Sequence, residues 1–329
     1  MKHPAPAAGS GAFSGHGRRR ALGLAAVATL LAVGGCSPAP GRRPDLRPSP
    51  ERGVIVPLRT IAMARLIQRI DQTGAPTLDA GSLGGFTSLV FPVAVAASPL
   101  DLFIADAGTS RLYRYDPTLE AMAIVGGVAV TPQTRLAALV DGSVLVSDPA
   151  AGAARRFDRA GRLLQRIDAG IGAARYDDIA VDPDSGRYLA LDRLQQRIEE
   201  VHPLGGSGVL RFDRQLPASP VGIAVDRQAI YVGSRACACI VAIDRDSGQQ
   251  TSVIENLKDI GALAAGGGWL VVADGVQRRL FIHRDGMLRG EPSFASLKLS
   301  APHGLALVND TLYVADGPSG RVAVFRLKP

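Results

Sequence analysis

Three cysteines in 329 residues are too few for disulfides to build a fold of this size. Histidine is scarce as well: His3 and His16 stand near the N-terminus, which leaves only His202, His283 and His303 along the body of the chain. Those three share no common position in the sequence pattern described below, so a three-histidine zinc site is not expected. Excess charge is also missing. The formal charge is +7, but Lys2, Arg18, Arg19 and Arg20 lie in a leader without acids, and the remaining 33 basic side chains face 30 acidic ones. So small and dispersed an excess argues against nucleic acid as a partner. The most apolar run, Ala21 to Val33, is too short to span a bilayer comfortably. No Ser-His-Asp context, phosphate-cradling glycine loop or aromatic-basic patch occurs, and no stretch holds a helical period.

What the chain does have is a repeat. A strand-like apolar run recurs as Leu102–Asp106, Val144–Asp148, Tyr188–Asp192, Tyr231–Ser234, Leu270–Asp274 and Leu312–Asp316, with end-to-end spacings of 42, 44, 42, 40 and 42 residues. Ten residues before each end, or twelve in the third unit where Asp184-Ser185 lengthens a turn, stands an alanine: Ala96, Ala138, Ala180, Ala224, Ala264 and Ala306. A small side chain at one position of every unit suits a strand that converges with five others on a narrow axis. Each unit reads as short strands broken by Gly, Asp and Pro, and a period near 42 in an all-β chain predicts a six-bladed β-propeller.

The segments Pro220–Asp226 and Pro302-His303-Gly304-Leu305-Ala306, the latter followed by Tyr313–Asp316 and Arg321, resemble the NHL-repeat family. The resemblance covers about residues 60–329 and implies a fold, not an activity. Units one to five continue into a fourth strand, as in Arg162–Asp168, but the sixth does not. Arg65–Asp71 is nearly the same heptapeptide as Arg162–Asp168, so the expected N-terminal closing strand is Arg65–Asp71, paired with Arg321–Leu327.

Residues 1–35 read as an export signal. The sequence Val33-Gly34-Gly35-Cys36 resembles a bacterial lipobox, which implies acylation of Cys36, and Ser37 after it implies onward transport to the outer membrane. The arginines before Ala21 also weakly resemble a twin-arginine signal. Residues 36–59, rich in Pro and Arg, read as an extended tether. The expected location is thus the periplasm, lipid-anchored to a membrane, with a protein or cell-envelope ligand as partner.

Candidate site residues fall in three groups. Asp106 with Arg111, Asp192 with Arg197, Asp274 with Arg279 and Asp316 with Arg321 are expected to be structural ion pairs at one hairpin turn. Blade two offers Ala153 in place of the Arg, and blade four replaces both partners, with Ser234 and Cys239. Cys237 and Cys239, about 6.6 Å apart on a regular strand, read first as two small buried side chains. A disulfide through an irregular turn and a thiophilic metal or redox role remain as alternatives. The third group is the opening position of each unit, where Val93, Arg135, Asp177, Val221, Gly261 and His303 would line the channel mouth, with Arg135, Asp177 and His303 as ligand-binding candidates. A Gly-rich segment near Gln72–Gly85 reads as a lid or as slack left by closure.

Gluconolactonase-like propellers resemble this pattern too. That resemblance implies a divalent metal held by a Glu, an Asn and an Asp at the mouth, but only one carboxylate stands in the opening position here. Streptogramin-lyase-like and amidating-lyase-like propellers use Pro-His-Gly openings in several blades, against one here. The sequence therefore favours a binding module with no catalytic residue, metal or cofactor, and the alternative is a metal-dependent lactonase-like hydrolase or lyase using His303 and Asp177.

Overall fold

The computed structural model describes residues 53–70, 76–77, 85–148, 153–168, 176–201, 207–209 and 216–329. These form six sheets, and the innermost strands are Pro92–Ala97, Arg135–Ala138, Asp178–Val181, Pro220–Val225, Ile260–Gly266 and Pro302–Val308. Each innermost strand touches the next in chain order and the sixth returns to the first, so the protein is a six-bladed, all-β propeller. The six repeated alanines all line the central channel.

The middle of each blade explains the apolar runs. Leu102–Asp106, Tyr188–Asp192 and Trp269–Asp274 are buried along their whole length, because each has a blade packed against both of its faces. Such strands read as continuous hydrophobic runs rather than alternating ones. Side chains from adjacent blades form one apolar cluster per interface. Trp269, Val271 and Leu280 of blade five pack with Leu312, Val314 and Phe325 of blade six, and Ile61, Val95 and Tyr113 share a cluster with Val322 and Val324 where blade six meets blade one. Burial at roughly 25 cal/mol per Å² makes these six interfaces the main cohesion of the ring.

Closure corrects the expected register. The strand that pairs with Arg321–Leu327 is Ile55–Ile61, antiparallel, with Ile55 opposite Leu327 and Ile61 opposite Val322. It completes the sheet of blade six, and its first residues fall inside the segment read as tether. Arg65–Asp71 does not do this. The strand there, Met63–Ile70, adds to the outside of blade one, parallel to Ala121–Ile124, and also pairs with Phe86–Ser88 and Pro76–Thr77. Most of Gln72–Gly85, like residues 1–52 with Cys36, lies outside the described residues.

The hairpins correct the ion pairs. Asp106 and Arg111, Asp192 and Arg197, Asp274 and Arg279, and Asp316 and Arg321 do stand opposite one another in register. Yet only Asp316 and Arg321 form an ion pair, at 3.3 Å. Arg279 turns to Glu291 at 3.3 Å and Arg197 to Glu199. The aspartates serve the backbone instead. Asp106 accepts N–H bonds from Val90, Phe91, Gly108 and Thr109, and thereby ties the start of the innermost strand to the turn that follows the second strand. These turns carry a residue at positive φ, namely Ser110, Gln196, Arg278 and, in blade six, Gly320; in blades one, three and five the carboxylate holds that corner by accepting N–H groups of the turn, whereas Asp316 accepts only from Ser300, Ala301 and Arg321.

Blade four solves the same problem differently. Ser234 donates to the Ala218 carbonyl at 2.6 Å, and Cys237 and Cys239 form a disulfide across Ala238, whose φ is 52°. The left-handed residue brings their Cα atoms to 5.2 Å, which a regular strand would not, so the reading of two separate thiols is overturned. A ring this short removes only about 1.5 kcal/mol of unfolded-chain entropy. Its use is local: it fixes a turn that lacks the aspartate.

Candidate functional site

The channel encloses about 930 Å³ and is lined from Asp178 and His303 at the start of the innermost strands to Asp226 and Asn309 beyond their ends. At the end where the innermost strands begin, charge is unevenly placed. In blades one, four, five and six the start of the strand is bulged, with register breaks between Pro92 and Ala94, Pro220 and Gly222, Ile260 and Ala262, and Pro302 and Gly304. Blades two and three have no such break, and there Arg135 and Asp178 pair across the strand where the bulged blades place Ala94, Gly222, Ala262 and Gly304. A bulge inserts one residue and so changes which side chain faces the axis.

The outcome for the three candidates follows. Arg135 and His303 line the channel. Asp177 is displaced by one residue: its carboxylate accepts the Arg193 N–H at 3.0 Å, while Asp178 lines the wall. Asp178 Oδ2 accepts the Ile223 N–H at 2.8 Å, and its partner Oδ1 the Asp178-adjacent Ile179 N–H at 3.0 Å. Gly222 makes this possible, since a Cβ there would lie 3.1 Å from Oδ2 and 2.8 Å from Leu263 Cδ2. Burial raises the Asp178 pKa above the usual carboxylate value, against the opposing pull of Arg135, the two N–H donors and Arg193.

Two arginines join this group. Arg193 sends Nη2 to the Val221 carbonyl, crossing from blade three to blade four. Burial lowers its pKa, Asp178 and Asp177 raise it, and the like charges of Arg135 and Arg235 lower it further. Arg135 spends Nη1 on the Thr134 and Pro132 carbonyls at 2.9 and 3.3 Å. Arg235, on the mouth side of blade four, is exposed, and its side chain makes no hydrogen bond or ion pair among the described residues. Both additions had a sequence signal. The residue after each second strand is Ala107, Pro149, Arg193, Arg235, Gly275 and Gly317, so two adjacent units put arginine where three others have Ala or Gly.

His303 stands three blades away from Asp178, across the ring. Its Nδ1 donates to the Ala301 carbonyl at 2.8 Å, its ring meets Phe91 edge-on at 5.0 Å, and Gly317 leaves room for it, since a Cβ there would sit 2.9 Å from Nδ1. Only Nε2 remains available. The structure therefore gathers Arg135 and Arg193 around Asp178, with Arg235 beside Arg193, and does not bring His303 to them.

A divalent metal does not fit this mouth. Among the described residues no three His, Cys, Asp or Glu side chains are grouped to hold one, and the carboxylate of Asp178 is committed to two N–H donors beside two guanidinium groups.

The fold and its channel define the protein as a six-bladed β-propeller. Neither a family model nor a curated protein matches the sequence. Among solved structures it is similar to a gluconolactonase from Xanthomonas campestris, at 15% identity, TM-score 0.57, over 73% of this chain and 87% of that one. It is similar too to virginiamycin B lyase from Staphylococcus aureus, at 13% identity, TM-score 0.53, over 73% and 96%, and to hydrazine synthase of Kuenenia stuttgartiensis, at 14%, 0.51, 73% and 96%.

Proposed function

We propose that this chain is a lipid-anchored propeller of NHL type, displayed in the periplasm on the outer membrane, that binds a protein or cell-envelope ligand at the mouth of its channel. The observation that carries this reading is the arc of Arg135, Arg193 and Arg235 over three neighbouring blades, with no metal-holding group among the described residues and with the carboxylate beside it, Asp178, bonded to two backbone N–H groups. Guanidinium groups recognise and orient; alone they supply neither a nucleophile nor a general base.

Two of the similar propellers are a lactonase and a lyase, which keeps a metal-dependent hydrolase or lyase as the second reading. Gly261 separates the two. Gly261 lines the channel and a Cβ there meets only the Ala273 and Pro302 carbonyl oxygens at 3.5 and 3.6 Å, so Gly261→Trp places an indole at the mouth while leaving all three arginines in the sequence. Chemical cross-linking in intact cells is expected to join the wild-type chain to an envelope component, and Gly261→Trp to abolish the adduct. A stoichiometric divalent ion in the purified full chain, with lactone hydrolysis that chelator removes, would instead establish the enzyme.

The anchor is tested separately. Cys36→Ser is expected to move the protein from the membrane to the soluble periplasmic fraction. Retention on membranes after a salt wash would place the anchor elsewhere.

A further inference from the structure

We infer that the mouth formed by blades two, three and four is an oxyanion site, taking the carboxylate or phosphate end of a ligand whose uncharged remainder enters the channel. The inference rests on the binding reading above and names the chemistry that the site takes. Three guanidinium groups from consecutive blades converge there: Arg135 from the start of the innermost strand, and Arg193 and Arg235 from the same turn position of blades three and four. They are close enough for Arg135 and Arg235 each to depress the Arg193 pKa.

Their neutralisation is incomplete. Asp177 and Asp178 are the carboxylates felt by Arg193 and offset part of the positive charge, while their oxygens accept N–H bonds from the backbone of Arg193, Ile179 and Ile223 and none from a guanidinium group among the described residues. Asp259, on the blade-five side, lines the same channel and adds a further negative charge. Arg135 keeps its donors other than Nη1, and Arg235 keeps all of its own. A guanidinium fork with free donors on a partly desolvated wall matches the two-oxygen edge of a carboxylate or phosphate. Beyond this arc the wall is lined by small side chains, Ala94, Ala138, Ala180, Ala224 and Ala306, along a cavity of about 930 Å³, a volume in the range of small-molecule sites, and charge returns only at Asp259 and, toward the far end, at Asp226, Arg227 and Asp285. The like charge of the three arginines, otherwise unfavourable, is relieved when an anion sits between them.

The test uses the full chain in detergent, with chloride exchanged for inorganic phosphate or for acetate at constant ionic strength, and the melting temperature followed against anion concentration. A saturable rise is expected for at least one anion. Arg235→Gln, which alters an exposed side chain and should fold, is expected to shift half-saturation at least tenfold, and Arg135→Gln to do the same. Arg227→Gln, at the other end of the channel, should leave it unchanged. A lower half-saturation for phosphate assigns the ligand to phosphorylated envelope components; a lower one for acetate assigns it to carboxylate ends. No saturable response, or equal response in wild type and Arg235→Gln, overturns the oxyanion site. If that happens while Gly261→Trp still abolishes the envelope adduct, the mouth binds a ligand of other chemistry and the binding function itself stands.

Discussion

Deleting residues 55–61 from the full chain is expected to lower the melting temperature by about 15–30 °C and to promote aggregation, while deleting residues 37–52 leaves it unchanged. The strand Ile55–Ile61 pairs six of its residues with Arg321–Leu327 and buries Ile61 between blades six and one. Loss of roughly six ladder bonds at about 1 kcal/mol each, with burial of one isoleucine at about 2 kcal/mol, gives about 8 kcal/mol. At about 2–4 °C per kcal/mol for a domain approaching this size, the stated range follows. The effect is greater than for a peripheral strand because Arg321–Leu327 would become an edge carrying unpaired N–H and C=O groups. Blade six would then be held to blade one only by side-chain packing, and the ring could open. Removal of 37–52 touches none of the described strands. Equal melting temperatures for the two deletions, read by circular dichroism, would show that the ring closes without Ile55–Ile61.

That strand also shows where the sequence stopped being legible. The six units, their order and the axial alanines could be read directly, because the repeat imposes one buried run and one small residue on every blade. Nothing repeats the closing strand. Ile55-Val56-Pro57-Leu58-Arg59-Thr60-Ile61 carries a proline and an arginine and looks like linker. Pro57 is tolerated because the strand is the outermost of its blade and the pairing shifts register between Pro57 and Arg59, so its missing N–H costs no ladder bond. The likeness of Arg65–Asp71 to Arg162–Asp168 has a different cause. Leu163–Asp168 is the outermost strand of blade two, and Met63–Ile70 lies on the outside of blade one. Similar sequences mark similar positions in a blade, not the same blade.

The site was half legible for a related reason. Counting back a fixed number from each aspartate assumes that every innermost strand is built alike. Blades two and three lack the bulge of the other four, so in blade three, with the longer turn at Asp184-Ser185 allowed for, the count lands on Asp177 and not on Asp178. Arg135 was found because the turn of its unit is one residue longer than in the bulged blades, five residues between Ala138 and Val144 against four between Ala97 and Leu102, which makes up for the missing bulge residue. Arg193 and Arg235 lie just past the recurring aspartate position, in a column whose meaning depends on which face the turns share.

The recurring aspartate itself gives the second large effect: Asp274→Ala is expected to destabilise the protein by about 4 kcal/mol, whereas Arg279→Ala costs at most about 0.5 kcal/mol. Asp274 is fully buried and accepts four bonds, from the N–H groups of Lys258, Val276 and Gln277 and from Gln277 Nε2, at 2.6 to 3.0 Å. Alanine leaves three backbone donors without an acceptor at the junction of strand and turn, with Arg278 still held at φ 54°. Each stranded donor costs about 1–3 kcal/mol, less where water reaches it. Arg279, by contrast, is half-exposed and pairs with Glu291, an interaction of the kind that contributes little. Asp274→Asn, which keeps one acceptor oxygen, should fall between the two. Urea titrations of the three variants decide the matter: if Arg279→Ala costs as much as Asp274→Ala, the carboxylate is held in place by its cross-strand arginine after all, and the backbone role assigned to the recurring aspartate fails.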